Sequence, residues 1–201
     1  MKYYLKAIKY FQNILIFLTV LIILIILPPL FAFSSNSLPE WLKPLLFDIS
    51  HWSVLFVMVI RPLADLLPRK NPLRPLVILR KSFGILSASV VVMFLMVNII
   101  TGDNYLLNYL NYDFWFSEDY KFLARIGDIT ALILLITSNN FSKKVLGKWW
   151  KRIQKLAYVY FYSGMFYIWL SFGNETALFG IVVVTILVIL AWAKKRFFKK
   201  D

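Results

Sequence analysis

Cysteine is absent from the 201-residue chain, and histidine occurs once, at His51. Without a thiol there is no disulfide, no CxxC redox pair and no cysteine-held iron–sulfur cluster. One histidine is too few for any centre that draws two imidazoles from the same chain. Charge is also scarce. Asp, Glu, Lys and Arg make up 16% of residues, against about a quarter in an average soluble domain. Acids are the scarcer sign, 10 against 23 bases, for a net charge of +13. No glycine-rich nucleotide turn occurs, and the spacing of the apolar runs leaves no room for a flavin or NAD domain.

What the chain does have is apolar length. Hydrophobic residues are 60% of the sequence, and several runs approach the roughly 20 residues that cross a bilayer as a helix. Six spans are expected, at 11–33, 45–63, 82–101, 122–138, 153–172 and 177–193, forming one all-α domain over 1–201. Backbone in hydrocarbon must satisfy its own hydrogen bonds, which favours helices. The runs lack the alternation of a membrane β-barrel. Pro62, Pro68, Pro72 and Pro75 separate the second and third spans, Gly102 and Asn104 follow the third, and Gly173–Asn174 makes a short turn after the fifth. Lys2, Lys6 and Lys9 precede the first run, which is longer than the 7–15-residue core of a signal peptide. An uncleaved first span is therefore expected, with cleavage near Ala32 as the alternative.

Charge orients these spans. Lys2, Lys6 and Lys9 fall on one side with Arg61, Arg69, Lys70, Arg74, Arg80 and Lys81. Lys143, Lys144, Lys148, Lys151, Arg152 and Lys155 join them, as do Lys194, Lys195, Arg196, Lys199 and Lys200. The other side carries Lys43 and Lys121 but also Glu40, Asp103, Asp113, Glu118, Asp119 and Glu175. The lysine and arginine bias places both termini in the cytoplasm. It also accounts for the net charge without a nucleic-acid partner. Trp41, Trp115, Trp149, Trp150 and Trp192 fall near expected span ends, where indoles favour the interface.

The segment 137–158 reads TSNNFSKKVLGKWWKRIQKLAY. It resembles the ferric-reductase-like transmembrane family, and within it the haem-binding membrane subunit of the periplasmic methionine-sulfoxide reductase system. The shared elements are Thr137–Ser138, a basic loop, Leu146-Gly147, Trp150 and Tyr158. The family's histidine position holds Gln154. Arg80-Lys81-Ser82-Phe83-Gly84 and Arg61-Pro62-Leu63 are weaker matches to its third and second helices. The resemblance covers about residues 45–172. It implies transmembrane electron transfer, in an inner (cytoplasmic) bacterial membrane, between a separate donor and an outer acceptor. It implies haem b held from the third and fifth helices, with a membrane or periplasmic redox partner. The matching positions here are Phe94, Gln154 and Tyr167. Phenylalanine has no donor atom, glutamine is a poor iron ligand, and a tyrosine ligand must lose its proton. The expectation is a member without the usual haem ligation and without a cofactor. The alternatives are haem held by His51 or by the thioethers of Met93, Met96 and Met165, or a membrane scaffold of another class.

Other polar residues fall inside the spans. Asp48 and His51 are spaced i,i+3, so they share a helix face. They are candidates for a proton relay or metal pair near the outer surface, or for an interfacial pair anchoring a short span. One histidine and one carboxylate do not make a four-ligand zinc site. Arg125 and Asp128 have the same spacing and are expected to pair, either structurally or against a ligand. Either alone would cost about 2.5–3.5 kcal/mol at mid-membrane on the insertion scale. Asn98 lies one turn beyond Phe94. Tyr158, Tyr160, Tyr162 and Tyr167 either line a cleft or pack with their hydroxyls bonded across helices. The basic loop 143–155 is suited to anionic lipid or a soluble donor.

Overall fold

In the computed structural model, residues 2–32, 41–67, 73–101, 105–116 and 120–197 are described. Several residues used above lie outside them: Pro68, Arg69, Lys70, Pro72, Gly102, Asn104, Lys199 and Lys200. So do the acids Glu40, Asp103, Glu118 and Asp119. Each of the six apolar runs forms a helix. These are α1 (Lys2–Ala32), α2 (Leu42–Leu66), α3 (Arg80–Thr101), α4 (Lys121–Thr137), α5 (Leu156–Phe172) and α6 (Glu175–Phe197). Short helical turns lie between α2 and α3, α3 and α4, and α4 and α5, and no strand occurs among the described residues.

By length and composition, four helical segments are long and apolar enough to cross a membrane: Tyr3–Leu24, Leu42–Leu66, Leu73–Ile99 and Glu175–Phe197. A fifth arises if Lys121–Thr137 is taken with Asn140–Leu146, although the two are bent 92° from one another. The six expected crossings thus reduce to four or five by this measure. The cause lies at the two ends of the basic segment. α4 stops at Thr137, where the chain turns sharply, and α5 begins at Leu156 rather than near 153. With 17 residues, α5 rises about 25 Å at 1.5 Å per residue.

Five helices close into a ring. α2 packs on α3, α3 on α4, α4 on α5, α5 on α6, and α6 returns to α2. α1 stands outside and packs against α3. The ring's centre holds Met58, Ala131, Phe161 and Val184, each no more than 1% exposed. Close approach between α6 and its neighbours depends on Gly180. A Cβ there would stand 3.3 Å from Leu55 Cδ1 and 3.3 Å from Met165 Cε.

The basic segment forms two short helices, Asn140–Leu146 and Lys148–Ile153. Asn139 starts the first by accepting from Ser142 N at 2.7 Å, a side-chain cap on an otherwise unsatisfied N–H. Gly147 joins the two with φ +50° and ψ −117°, a conformation that strains any residue with a Cβ. Trp150 Nε1 donates to the Thr137 carbonyl at 2.9 Å, which satisfies an end-group of α4. At the same end of the bundle Lys194 Nζ donates to the Leu66 carbonyl at 2.6 Å. A cation at the C-terminus of α2 complements the helix dipole.

Candidate functional site

A cavity of about 540 Å³ lies between α2, α3, α4, α5 and the start of α6. Its rim is formed by Pro44 at the start of α2 and by Asn174 and Thr176 at the start of α6. Its floor is formed by Ser50, Val54, Tyr160 and Phe161. The walls are apolar and aromatic apart from a few polar groups, the usual make-up of a small-molecule site. Among those groups are Asp48, His51, Asp128 and Tyr167.

A three-hydroxyl cluster closes the floor. Tyr160 OH lies 2.8 Å from Ser87 Oγ, and Ser87 Oγ lies 2.9 Å from Ser50 Oγ. Ser50 Oγ donates to the Ser87 carbonyl at 3.2 Å, and a longer 3.4 Å approach joins Ser50 to Tyr160. One assignment satisfies every donor: the phenol donates to Ser87, Ser87 to Ser50, and Ser50 to the carbonyl. The cluster ties α2, α3 and α5 together, with all three side chains buried. Tyr162 OH makes a second such tie, to Thr185 Oγ1 of α6 at 2.9 Å. These tyrosines therefore bond across helices, and Tyr160 and Tyr167 also face the cavity. Sequence reading missed Ser50 and Ser87. Their signal was faint: two small polar residues within apolar runs.

Asp48 and His51 do share a face, and both line the cavity. His51 Nδ1 stands 3.1 Å from the Phe47 carbonyl. A carbonyl only accepts, so Nδ1 carries the hydrogen, and in the neutral ring Nε2 is then the acceptor.

Arg125 and Asp128 do not pair. No hydrogen bond or ion pair joins them among the described residues. The Arg125 guanidinium instead lies 3.7 Å over the centroid of the Phe114 ring. Phe114 belongs to the short helix Tyr112–Phe116, which packs on α4. Arg125 is buried, and its Nη1 has no hydrogen-bond partner. The i,i+3 spacing put both side chains on one face, but a residue beyond the span's sequence context captured the cation. Asp128 is left on the cavity wall.

The three positions matched to haem ligands are dispersed. Phe94 stacks on Phe47, with centroids 4.6 Å apart and planes at 16°. Gln154 sits in the turn before α5, where its Nε2 donates to Thr137 Oγ1 at 3.4 Å. Tyr167 lines the cavity at the other end of α5. Met93 is buried in a small cluster with Leu46, Val90 and Val97. Met96 packs against the central core, and Met165 belongs to that core while touching the cavity. Asn98 is exposed on α3 and does not reach the site. No group of three or more His, Cys, Asp or Glu side chains suited to a metal ion occurs among the described residues. No known protein family, curated protein or solved structure matches the chain.

Proposed function

We propose that this is a multi-pass membrane protein on a ferric-reductase-like bundle whose haem positions have been replaced, and whose working element is the cavity: a ligand-binding site rather than an electron path. One observation carries this reading: five helices converge on a single 540 Å³ cavity that gathers Asp48, His51, Asp128 and Tyr167 into otherwise apolar walls. Intramembrane ionisable groups that face a cavity are functional by default.

The residues at the family's haem positions do not fit haem. Phe94 offers no donor atom and is stacked on Phe47. Gln154 is bonded to Thr137 at the far end of the bundle from Tyr167. Of the three, Tyr167 alone lines the cavity. A second reading has one observation in its favour. The Phe47 carbonyl holds His51 Nδ1, the arrangement that orients a metal-binding imidazole. That reading is a haem-binding electron-transfer subunit with His51 as an atypical ligand. It implies a membrane or periplasmic redox partner. An absorption spectrum of protein purified from haem-replete cells separates the two. No stoichiometric Soret band is expected, and a haem-to-protein ratio near one would overturn the first reading.

In this proposal all six long helices cross the membrane, α4 and α5 as short spans. Both termini face the cytoplasm of a bacterial inner membrane, and the cavity opens on the outer side. The lysine- and arginine-rich ends support that orientation. Two contacts gather those ends together: Lys194 on Leu66, and Trp150 on Thr137. Lipid is the direct partner of the exposed Ile186, Ile189 and Leu190 of α6.

A further inference from the structure

The charge around the cavity is opposite to that of the protein. The chain has 23 lysines and arginines against 10 acids. Yet among the described residues the cavity lining includes Asp48 and Asp128 and no lysine or arginine. The nearest cation along the chain, Arg125, is turned away onto Phe114. Asp128 has no hydrogen bond or ion pair among the described residues. A carboxylate in an apolar, membrane-depth wall normally has a partner, and here Arg125 acts on it only through space, with no direct contact.

We infer that the cavity binds a small organic cation with an aromatic or apolar body. The inference rests on the reading of the cavity as a ligand site and names the chemistry of its occupant. Volume suits a drug-sized molecule, for which pockets run about 300–1,000 Å³. Aromatic faces from Phe47, Trp52, Phe161 and Phe172 line the same space. Rings attract cations through their quadrupole, most strongly when both are desolvated. Asp128 and Asp48 supply the counter-charge. An anion would meet two carboxylates, with His51 the one basic side chain in the described lining. A neutral ligand would leave both carboxylates as they are. A bare metal ion would need more ligands than are gathered, in a space far larger than the ion.

The test uses the full chain in an uncharged maltoside detergent, read by thermal unfolding. The probes are benzyltrimethylammonium and its uncharged carbon isostere, neopentylbenzene. A ligand that binds only the folded state raises the unfolding midpoint. Wild type should gain about 2–5 °C in millimolar benzyltrimethylammonium, in line with the size scaling of midpoint shifts. Asp128→Asn and Asp48→Asn should each lose most of that gain. Gly164→Leu is the blocking variant. Gly164 lines the cavity, and nothing lies within 4 Å of a Cβ built there, so the added side chain enters open space. It should fold and show no gain.

A gain in Gly164→Leu equal to that of wild type would place binding elsewhere and overturn the inference. An equal gain from neopentylbenzene that Gly164→Leu abolishes would keep the cavity as a ligand site but overturn its preference for a cation. No gain from either probe, in a wild type and blocking variant that both fold, would overturn both readings together.

Discussion

Replacing Ser87 with alanine should destabilise the bundle more than replacing Tyr160 with phenylalanine, although the phenol is the larger group. The difference follows from which donors are left without acceptors. Ser87 Oγ is the middle of the cluster, 2.8 Å from Tyr160 OH and 2.9 Å from Ser50 Oγ. In Tyr160→Phe, Ser87 still meets Ser50, and Ser50 still meets the Ser87 carbonyl at 3.2 Å. No buried donor is orphaned. The loss is that of one hydrogen bond, about 0.5–1.5 kcal/mol, with interhelical bonds in membranes averaging about 0.6 kcal/mol. In Ser87→Ala the Tyr160 hydroxyl keeps only its 3.4 Å approach to Ser50. A buried group left unsatisfied costs about 1–3 kcal/mol. For a chain of this size each kcal/mol moves the midpoint by about 2–4 °C. Tyr160→Phe should therefore lower it by about 1–6 °C, and Ser87→Ala by about 2–12 °C. The double variant gives the sign test. Removing the phenol as well as its acceptor leaves no orphan, so Ser87→Ala/Tyr160→Phe should be more stable than Ser87→Ala alone. The assay is tryptophan-fluorescence thermal unfolding in detergent, checked by loss of helical circular dichroism. If the double variant loses the sum of the two singles, the donor accounting is wrong and the cluster is held by packing.

Gly180→Val should lower the unfolding midpoint sharply, because a Cβ there already meets Leu55 and Met165 at 3.3 Å and overpacking typically costs about 1–3 kcal/mol; a stable variant would mean that α6 can slide away from α2. Phe114→Leu and Arg125→Met should each destabilise the N-terminal end of α4, by about 0.5–2 kcal/mol for a stacked cation. Their double-mutant cycle should show coupling between these two residues, whereas Arg125 and Asp128 should show less; stronger coupling to Asp128 would restore the ion pair rejected above. Single cysteines at Ser37 and Asn174 should react with an impermeant thiol reagent from outside, and cysteines at Asn71 and Gly147 should not; the reverse labelling would invert the proposed orientation.

Composition alone determined the class. Long apolar runs with bases clustered between them can persist only as helices in lipid, because hydrocarbon offers no partner for an open backbone. The helical period likewise put Asp48 with His51 on one face of α2, and both reach the cavity. The same argument put Arg125 with Asp128 on one face of α4, and there it failed. Spacing fixes direction from a helix axis, but a partner is chosen by what the neighbouring chain presents, and Phe114 arrives from a separate short helix. α5 starts at Leu156, three residues past the expected 153. Lys148 to Gln154 has the composition of a helix entering the membrane, but Gly147 and the Trp150 bond to Thr137 hold it as a separate turn. Only the tertiary structure decided that Ser50, Ser87 and Tyr160 meet, from three helices up to 110 positions apart. It also decided that a cavity is left between these helices. Both depend on how five helices close, which is set by side-chain volumes at contacts far apart in the chain, and no local pattern encodes them.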